Sequence, residues 1–163
     1  MKPIIVIDSE WHASTTADSI IQPKEIGVAL VISGAEDTAI AAKPERHYII
    51  KTSDEHHDTL SVSEILLNLG SSNSIWASYS WFDNVQLRKW FENEGIPFPL
   101  GKVHMDIAAM YTVLMRILTP PKLKDATTTL CGRFLGTQHR ADDDAWNAAR
   151  VLAKLMNQFN EGE

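Results

Sequence analysis

The sequence contains little cysteine, few basic residues and no long apolar run. Its single cysteine, Cys131, excludes an intrachain disulfide and is typical of a reducing compartment, so we expect a cytoplasmic location. No apolar run approaches the ~20 residues that a membrane-spanning helix needs. The apolar stretch at residues 4–7 leads directly into an acid, which is unlike a secretory signal. These absences argue against membrane-spanning and disulfide-stapled classes of protein.

The charge balance is acidic, with 21 Asp and Glu against 15 Lys and Arg and a formal net charge of −6. Proteins that hold long stretches of duplex by neutralising phosphates are usually basic. An active site that gathers several carboxylates around cations, however, carries negative charge before the metal arrives. The composition therefore argues against extensive nucleic-acid binding and is compatible with an enzyme that holds a few terminal nucleotides.

Length and patterning predict one α/β domain spanning residues 1–163, because a chain of this size with 44% apolar residues buries a continuous core. Segments rich in β-branched or apolar residues predict strands at residues 3–8, 25–33, 46–51, 74–79 and 102–106. Apolar spacing and capping residues predict helices at residues 59–69, 80–95, 107–118 and 123–135, and from residue 142 onward. Early strands followed by alternating strands and helices indicate a five-stranded mixed sheet flanked by helices.

Two acids end the first predicted strand. Asp8 and Glu10 are two residues apart, so their side chains lie on one side if the strand continues, together with Ile4 and Val6. Carboxylates at the rim of a buried face are costly unless a cation neutralises them. Two loop acids after a strand are the structural alternative, and the pair taken alone leaves both interpretations open.

Asp83 lies in the first turn of a predicted helix that Ser80 can cap. An acid at this position stabilises a helix by roughly 0.3–1 kcal/mol through the helix dipole. Taken alone, Asp83 is better explained as a capping acid than as a metal ligand.

The segment His139-Arg140-Ala141-Asp142-Asp143-Asp144 opens the last predicted helix. Asp144 precedes Ala148 by four residues and so continues the apolar stripe that faces the sheet. Asp142 and Asp143 are rotated away from the stripe and are predicted to be solvent-exposed acids that favour the helix dipole. An inward carboxylate needs a partner, and His139 precedes it closely enough to reach the same place.

Three motifs in this order resemble the DEDDh exonucleases of the DnaQ-like superfamily. They are Asp8-Ser9-Glu10 after a strand, Ser80-Trp81-Phe82-Asp83 opening a helix, and His139 five residues before Asp144. The resemblance runs over nearly the whole chain and implies a ribonuclease H-like fold. Within the superfamily, residues 80–87 and 95–99 are most similar to the Eri-type exoribonucleases.

The resemblance implies two Mg²⁺ or Mn²⁺ ions, which prefer oxygen ligands. Asp8 would bridge both ions, Glu10 and Asp144 would complete the first, and Asp83 would hold the second. His139 would take a proton from the attacking water. The implied activity is 3′–5′ exonuclease cleavage, releasing nucleoside 5′-monophosphates from the 3′ end of single-stranded RNA or short 3′ overhangs.

Residues beside the carboxylates are candidates for contacting the terminal nucleotides. An aromatic ring that stacks on a base contributes ~1–3 kcal/mol; Trp11 at a strand exit is favoured for this role, whereas core packing is preferred for Phe82. Arg140 is a candidate phosphate contact, with a solvated loop as its alternative. The predicted substrate-binding set is Trp11, His12, Ser80, Phe82 and Arg140. Residues 54–58 occupy the stretch where many relatives place a wedge for the terminal base.

Alternatives to an RNA-directed enzyme remain open. One is a DNA-directed 3′–5′ exonuclease of the same fold, for proofreading or single-strand trimming. Another is a catalytically silent nucleic-acid-binding module, which the presence of all five candidate catalytic positions disfavours. A third is an HD-type phosphohydrolase built on His57-Asp58, which the strand pattern disfavours because such folds are all-helical. Since some relatives dimerise, a homodimer is a further possibility, with five tryptophans available for an interface.

Overall fold

A five-stranded sheet organises the structure, a computed structural model that describes residues 2–12, 22–33, 42–51 and 59–160. The strand order is β3-β2-β1-β4-β5. β2 pairs antiparallel with both β1 and β3, whereas β4 pairs parallel with β1 and with β5. The predicted mixed sheet is confirmed. The strands are β1 (Ile4–Trp11), β2 (Pro23–Ser33), β3 (Ala42–Lys51), β4 (Trp76–Ser78) and β5 (His104–Asp106).

Helices cover both faces of the sheet. Two hydrophobic clusters lie on its opposite sides, and β1 contributes alternate residues to them: Val6 to one, Ile5 and Ile7 to the other. All three side chains are buried, as expected for a central strand covered on both faces. The helices are α1 (Thr59–Asn68), α2 (Trp81–Asn93), α3 (Ile107–Leu114), α4 (Leu123–Cys131) and α5 (Ala141–Asn160), with a short 3₁₀ helix at Ser71–Asn73.

The last helix, α5, approaches the sheet more closely than a side chain on β2 would allow. A Cβ atom at Gly27 would overlap the backbone carbonyl of Ala141 and the backbone nitrogen of Asp142. Gly27 pairs with Asp8 across the β1–β2 ladder. The first turn of α5 therefore lies directly beside the end of β1.

Several predicted boundaries were wrong. The fourth helix ends at Cys131 and is followed by Gly132 at φ 83°, not by Gly136. The third helix ends at Leu114, before the double proline that was expected to stop it. β3 begins earlier than predicted, and β4 and β5 are three residues each. In the described part of the chain, no helix is long and apolar enough to cross a membrane.

Candidate active site

The first two candidate carboxylates lie where β1 leaves the core. Asp8 and Glu10 are both partly buried and follow Val6 on the face of the sheet that α5 covers. A register irregularity between Glu10 and Trp11 ends the regular pairing with β2. The strand continues through both acids, so the expectation that they share a side is confirmed.

The third carboxylate is brought to this edge by α5. Asp144 is 7% exposed and lies one turn before the fully buried Ala148, as the helical spacing predicted. Its backbone N–H donates to the carbonyl of Arg140, and its Oδ2 accepts from the backbone N–H of His139 at 2.8 Å. The histidine loop and the inward acid are thus joined by a hydrogen bond.

The fourth carboxylate, Asp83, arrives from the opposite face of the sheet. Ser80 caps α2 as predicted, because its side chain accepts from the backbone N–H of Phe82. The carboxylate of Asp83 is bound instead to β1: its Oδ1 accepts from the backbone N–H of Ser9 at 3.0 Å and from the Ser9 hydroxyl at 2.6 Å. Asp83 is 6% exposed, so it is more than a surface capping acid.

A tryptophan completes this hydrogen-bond chain. The indole N–H of Trp11 donates to the hydroxyl oxygen of Ser9 at 2.9 Å. The single hydroxyl proton of Ser9 is then directed to Asp83 Oδ1, which already receives the backbone N–H. Oδ2 of Asp83 is the carboxylate oxygen that Ser9 does not use. Ser9 was not among the predicted site residues, because nothing in the sequence indicates a contact across 74 positions.

His139 lies at the outer side of the carboxylates. Its side chain is 84% exposed, and its Nδ1 is 3.7 Å from Oε1 of Glu10. Its backbone adopts φ 62°, a left-handed conformation that is uncommon for a non-glycine residue. Such backbone strain is concentrated at functional sites. One potential ligand atom from each of Glu10, His139 and Asp144 lies within 4.8 Å of the others.

The electrostatics of the cluster favour a cation. Burial raises the pKa of Asp8 well above its ordinary value, and the charges of Asp83, Asp144 and Glu10 raise it further. Burial also raises the pKa of Asp83 to about 6, against hydrogen bonds that lower it. The pKa of Asp144 is likewise raised to about 6 by burial. Four carboxylates at one sheet edge repel one another, and divalent cations would relieve that repulsion.

The donor set fits hard divalent cations. All four acids offer oxygen, the ligand that Mg²⁺ and Mn²⁺ prefer, and the described part of the cluster contains no thiolate. Ser9 uses only Oδ1 of Asp83, and ligand atoms of Glu10 and Asp144 lie within 4.8 Å of each other near His139. The residues present therefore fit the ions that the sequence analysis expected.

The predicted substrate-binding residues differ in their surroundings. Phe82 is 56% exposed beside Asp83, so its expected core packing was wrong. Trp11 is partly buried against the core, and its indole nitrogen is already bonded to Ser9. His12 is exposed. Arg140 pairs with Asp142 at 2.8 Å, so a phosphate would have to compete with that carboxylate.

Two further expectations concern acids near the site. Asp142 was predicted to be exposed, and this was wrong: it is 5% exposed beside Gly27 of β2, and Arg140 donates to both of its oxygens. Asp143 is partly buried and accepts from the backbone N–H of Thr137 at 2.8 Å. Residues 54–58, including the His57-Asp58 pair, lie outside the described residues. The five-stranded sheet contradicts the all-helical phosphohydrolase alternative.

Comparisons with known proteins identify the fold. The sequence matches no protein-family model and no curated protein. The nuclease domain of 3′hExo, a DEDDh family member bound to rAMP, is similar at TM-score 0.71 and 15% identity, over 96% of this chain and 92% of that chain. A 3′-exonuclease solved for 3′-end specific recognition of histone mRNA stem-loop is similar at TM-score 0.70 and 13% identity, over 96% and 82%.

A third similar structure is S. pombe Pop2p in its Mg²⁺- and Mn²⁺-bound form, with TM-score 0.65 and 15% identity over 99% of this chain and 86% of that chain. At such identities the likeness establishes the fold and leaves the activity to be argued from the site. The chain has the fold of the DEDDh-family 3′-exonucleases. The ribonuclease H-like architecture expected from the sequence is confirmed.

Proposed function

We propose that this chain, which has the fold of the DEDDh-family exonucleases, is a metal-dependent 3′–5′ exonuclease. The observation that carries the proposal is the convergence of Asp8, Glu10, Asp83 and Asp144 beside His139, from three separate elements and both faces of the sheet. Buried carboxylates with raised pKa values in one cluster are typical of functional sites. The reaction is hydrolysis of the terminal phosphodiester, with release of a nucleoside 5′-monophosphate.

Asp8, Glu10, Asp83 and Asp144 would hold two Mg²⁺ or Mn²⁺ ions. When bound, the ions supply stabilisation of the charge that develops on the phosphate and lower the pKa of a water molecule. Asp8 is the shared ligand in this proposal, since its pKa is raised by the charges of all three other acids. Glu10 and Asp144 act on the His139 side, and Asp83 acts from α2.

His139 is the general base in this mechanism. Its ring is exposed and lies beside Glu10, so a water molecule held at the carboxylates is within its reach. The hydrogen bond from its backbone N–H to Asp144 fixes the loop relative to the cluster. Proton transfer to the imidazole then leaves hydroxide character on the attacking oxygen.

We propose single-stranded RNA, or a short 3′ overhang, as the preferred substrate. Support comes from the similar structures, one bound to rAMP and one of an exonuclease that recognises a histone mRNA stem-loop. The exposed Phe82 beside Asp83 offers a surface for a terminal base. DNA trimming is the competing activity, and it uses the same catalytic residues.

The decisive experiment incubates the purified protein with Mg²⁺ or Mn²⁺ and with 5′-labelled single-stranded RNA and DNA of one sequence. We expect a ladder that shortens from the 3′ end, is abolished by EDTA and advances faster on RNA. A ladder that advances faster on DNA would change the proposed substrate to DNA and leave the proposed reaction unchanged.

The matched control for this experiment is Asp143→Asn, because Asp143 neighbours Asp144 on α5 and accepts its hydrogen bond from Thr137 outside the cluster. We expect Asp143→Asn to retain activity and Asp144→Asn to lose it. Binding of the strand without cleavage by the unmodified protein, at any concentration of either metal, would support the silent binding module instead.

The cytoplasmic location, the single domain and the homodimer stay predictions. A sedimentation-velocity measurement of the purified chain distinguishes one copy from two. Fractionation of cells that express a tagged chain tests the location.

A further inference from the structure

A groove of about 560 Å³ runs between the outer face of α2 and the edge strand β5. It begins at Trp81, two residues before the candidate ligand Asp83, and extends along α2 to Glu92. At 1.5 Å per helical residue, this length is about 16 Å. The groove therefore lies along the exposed side of the helix that carries Asp83, with Trp81 at the end where α2 begins.

The groove is basic although the chain is acidic. Arg88, Lys89 and Lys102 line it, against one acid, Glu92. Among the described residues, none of the three cations lies within ion-pair distance of a carboxylate. In a chain of net charge −6, these three cations give the groove a local positive charge that attracts anions.

Arg88 is held in place by neutral groups. Its Nε donates to Oδ1 of the buried Asn84 at 2.9 Å, and its guanidinium carbon is 4.2 Å from the centre of the Phe98 ring. Neither contact neutralises the charge, and both fix the planar group. Among the described residues, the two terminal nitrogens of Arg88 have no hydrogen-bond partner, so they can donate the paired hydrogen bonds that phosphate accepts.

The end of the groove nearest the carboxylates is aromatic. Trp81 is 55% exposed, and its ring meets the edge of His104 at 5.1 Å between centroids. His104 in turn packs on the buried Trp76 at 4.2 Å, and its Nε2 is 2.8 Å from the Ser78 hydroxyl. Burial lowers the pKa of His104 to about 4, so its ring is neutral at physiological pH. The Trp81 ring therefore packs on His104 and still presents an exposed aromatic surface.

We propose that this groove binds the single strand immediately 5′ of the nucleotide being removed, with phosphates on Arg88, Lys89 and Lys102 and a base on Trp81. A basic groove combined with an aromatic ring on which a base can stack is typical of proteins that bind single-stranded nucleic acid without regard to sequence. A groove of ~16 Å accommodates about four or five stacked nucleotides at ~3.4 Å each. The inference rests on the proposed exonuclease function and adds to it the path of the uncleaved strand.

The test compares a dinucleotide with a single strand of about 12 nucleotides, since a dinucleotide places one nucleotide at the start of the groove and only the longer substrate fills it. The variant is Arg88→Ala/Lys102→Ala. Its matched control is Lys43→Ala/Lys154→Ala, which removes the same charge from exposed positions on β3 and α5, away from β5. We expect the ratio of kcat/KM for the long strand to that for the dinucleotide to fall roughly tenfold in the groove variant and to stay constant in the control.

Binding gives an independent readout. Fluorescence anisotropy of the labelled long strand, measured without metal at several salt concentrations, gives the slope of log Kd against log[salt]. This slope should be smaller by about 1.4 in the groove variant, because each of two lost phosphate contacts on a single strand contributes ~0.7. Trp81→Ala should weaken binding roughly fivefold or more, and Trp81→Phe should restore most of the affinity.

Specific outcomes would overturn the proposal. If kcat/KM fell equally for the dinucleotide and the long strand, or if the control variant showed the same fall in their ratio, the strand would not bind in the groove. Tighter binding of a glutamate-rich peptide than of the oligonucleotide, lost in the groove variant, would assign the groove to an acidic protein partner. Absence of cleavage in the unmodified protein would reject the proposed function itself, and the anisotropy comparison would still decide whether the groove binds nucleic acid.

Discussion

Ser9→Ala is expected to weaken metal binding although Ser9 offers no ligand to the metal itself. The Ser9 hydroxyl donates to Asp83 at 2.6 Å, and the residue is 8% exposed, so water does not readily replace the hydroxyl. A hydrogen bond to a charged group contributes about 1.5–3 kcal/mol. Its loss therefore raises the pKa of Asp83 by roughly one to two units above the present value, since one unit corresponds to ~1.4 kcal/mol.

The consequence at pH 7 follows from the direction of this change. The pKa of Asp83 is already about 6, so a further increase leaves a large share of the carboxyl protonated when the cation arrives. The Mg²⁺ or Mn²⁺ concentration for half-maximal activity should increase about 10- to 100-fold, the usual effect of removing a residue that orients a metal ligand. Raising the pH to about 8.5 should recover part of the loss, because the carboxyl then ionises without the serine.

The assay is a titration of cleavage rate with Mn²⁺ at two pH values, paired with calorimetric Mn²⁺ binding. Ser74→Ala is the matched control: Ser74 is 7% exposed and donates to the Gly70 carbonyl at 2.9 Å, remote from the carboxylates. Trp11→Phe keeps an aromatic ring and removes the N–H that orients Ser9, so it should give a smaller change in the same direction. An apparent Mn²⁺ affinity for Ser9→Ala that matches the unmodified protein and Ser74→Ala would refute the reasoning.

Further predictions address the remaining site residues. Asp144→Asn should abolish trimming with an unchanged circular dichroism spectrum, and full activity on single-stranded oligonucleotides would contradict the assignment. His139→Ala should lower kcat by about 10²–10⁴-fold while calorimetric Mn²⁺ affinity is largely kept; unchanged turnover would remove its role as base. The pKa values of Asp83 and Asp144 are raised to about 6, so the folded metal-free protein binds more protons than the unfolded chain. Its free energy of unfolding should therefore fall as pH rises from about 4 to about 6. A Tm in EDTA that increases over this pH range would argue against the cluster. So would a Tm at pH 7 that does not increase when Mg²⁺ is added.

The sequence predicts those parts of the site that depend on one element at a time. Period-two geometry places Asp8 and Glu10 on one side of β1, and helical spacing turns Asp144 toward the sheet with Ala148. Both expectations use only the local repeat of the backbone, which does not depend on the rest of the fold.

Parts that depend on a distant partner could not be predicted. The carboxylate of Asp83 is positioned by Ser9, 74 residues earlier, and the start of α5 at Ala141 and Asp142 lies against Gly27 on β2. The end of α4 shows another limit: Gly132 and Gly136 both adopt positive φ, so either could have stopped the helix. The helix ends at the first of the two, Gly132.

The absence of a side chain at Gly27 has a consequence for tracing relatives of this chain. The position is restricted by backbone atoms of α5, which cannot move aside as a flexible side chain can. The residue at this position is restricted by the close packing of α5 on the sheet, whereas Asp8 and Asp144 are restricted by the proposed metal binding. A diverged copy that has lost catalysis is thus expected to replace the acids first and to keep this glycine, which would mark common descent after the carboxylates are gone.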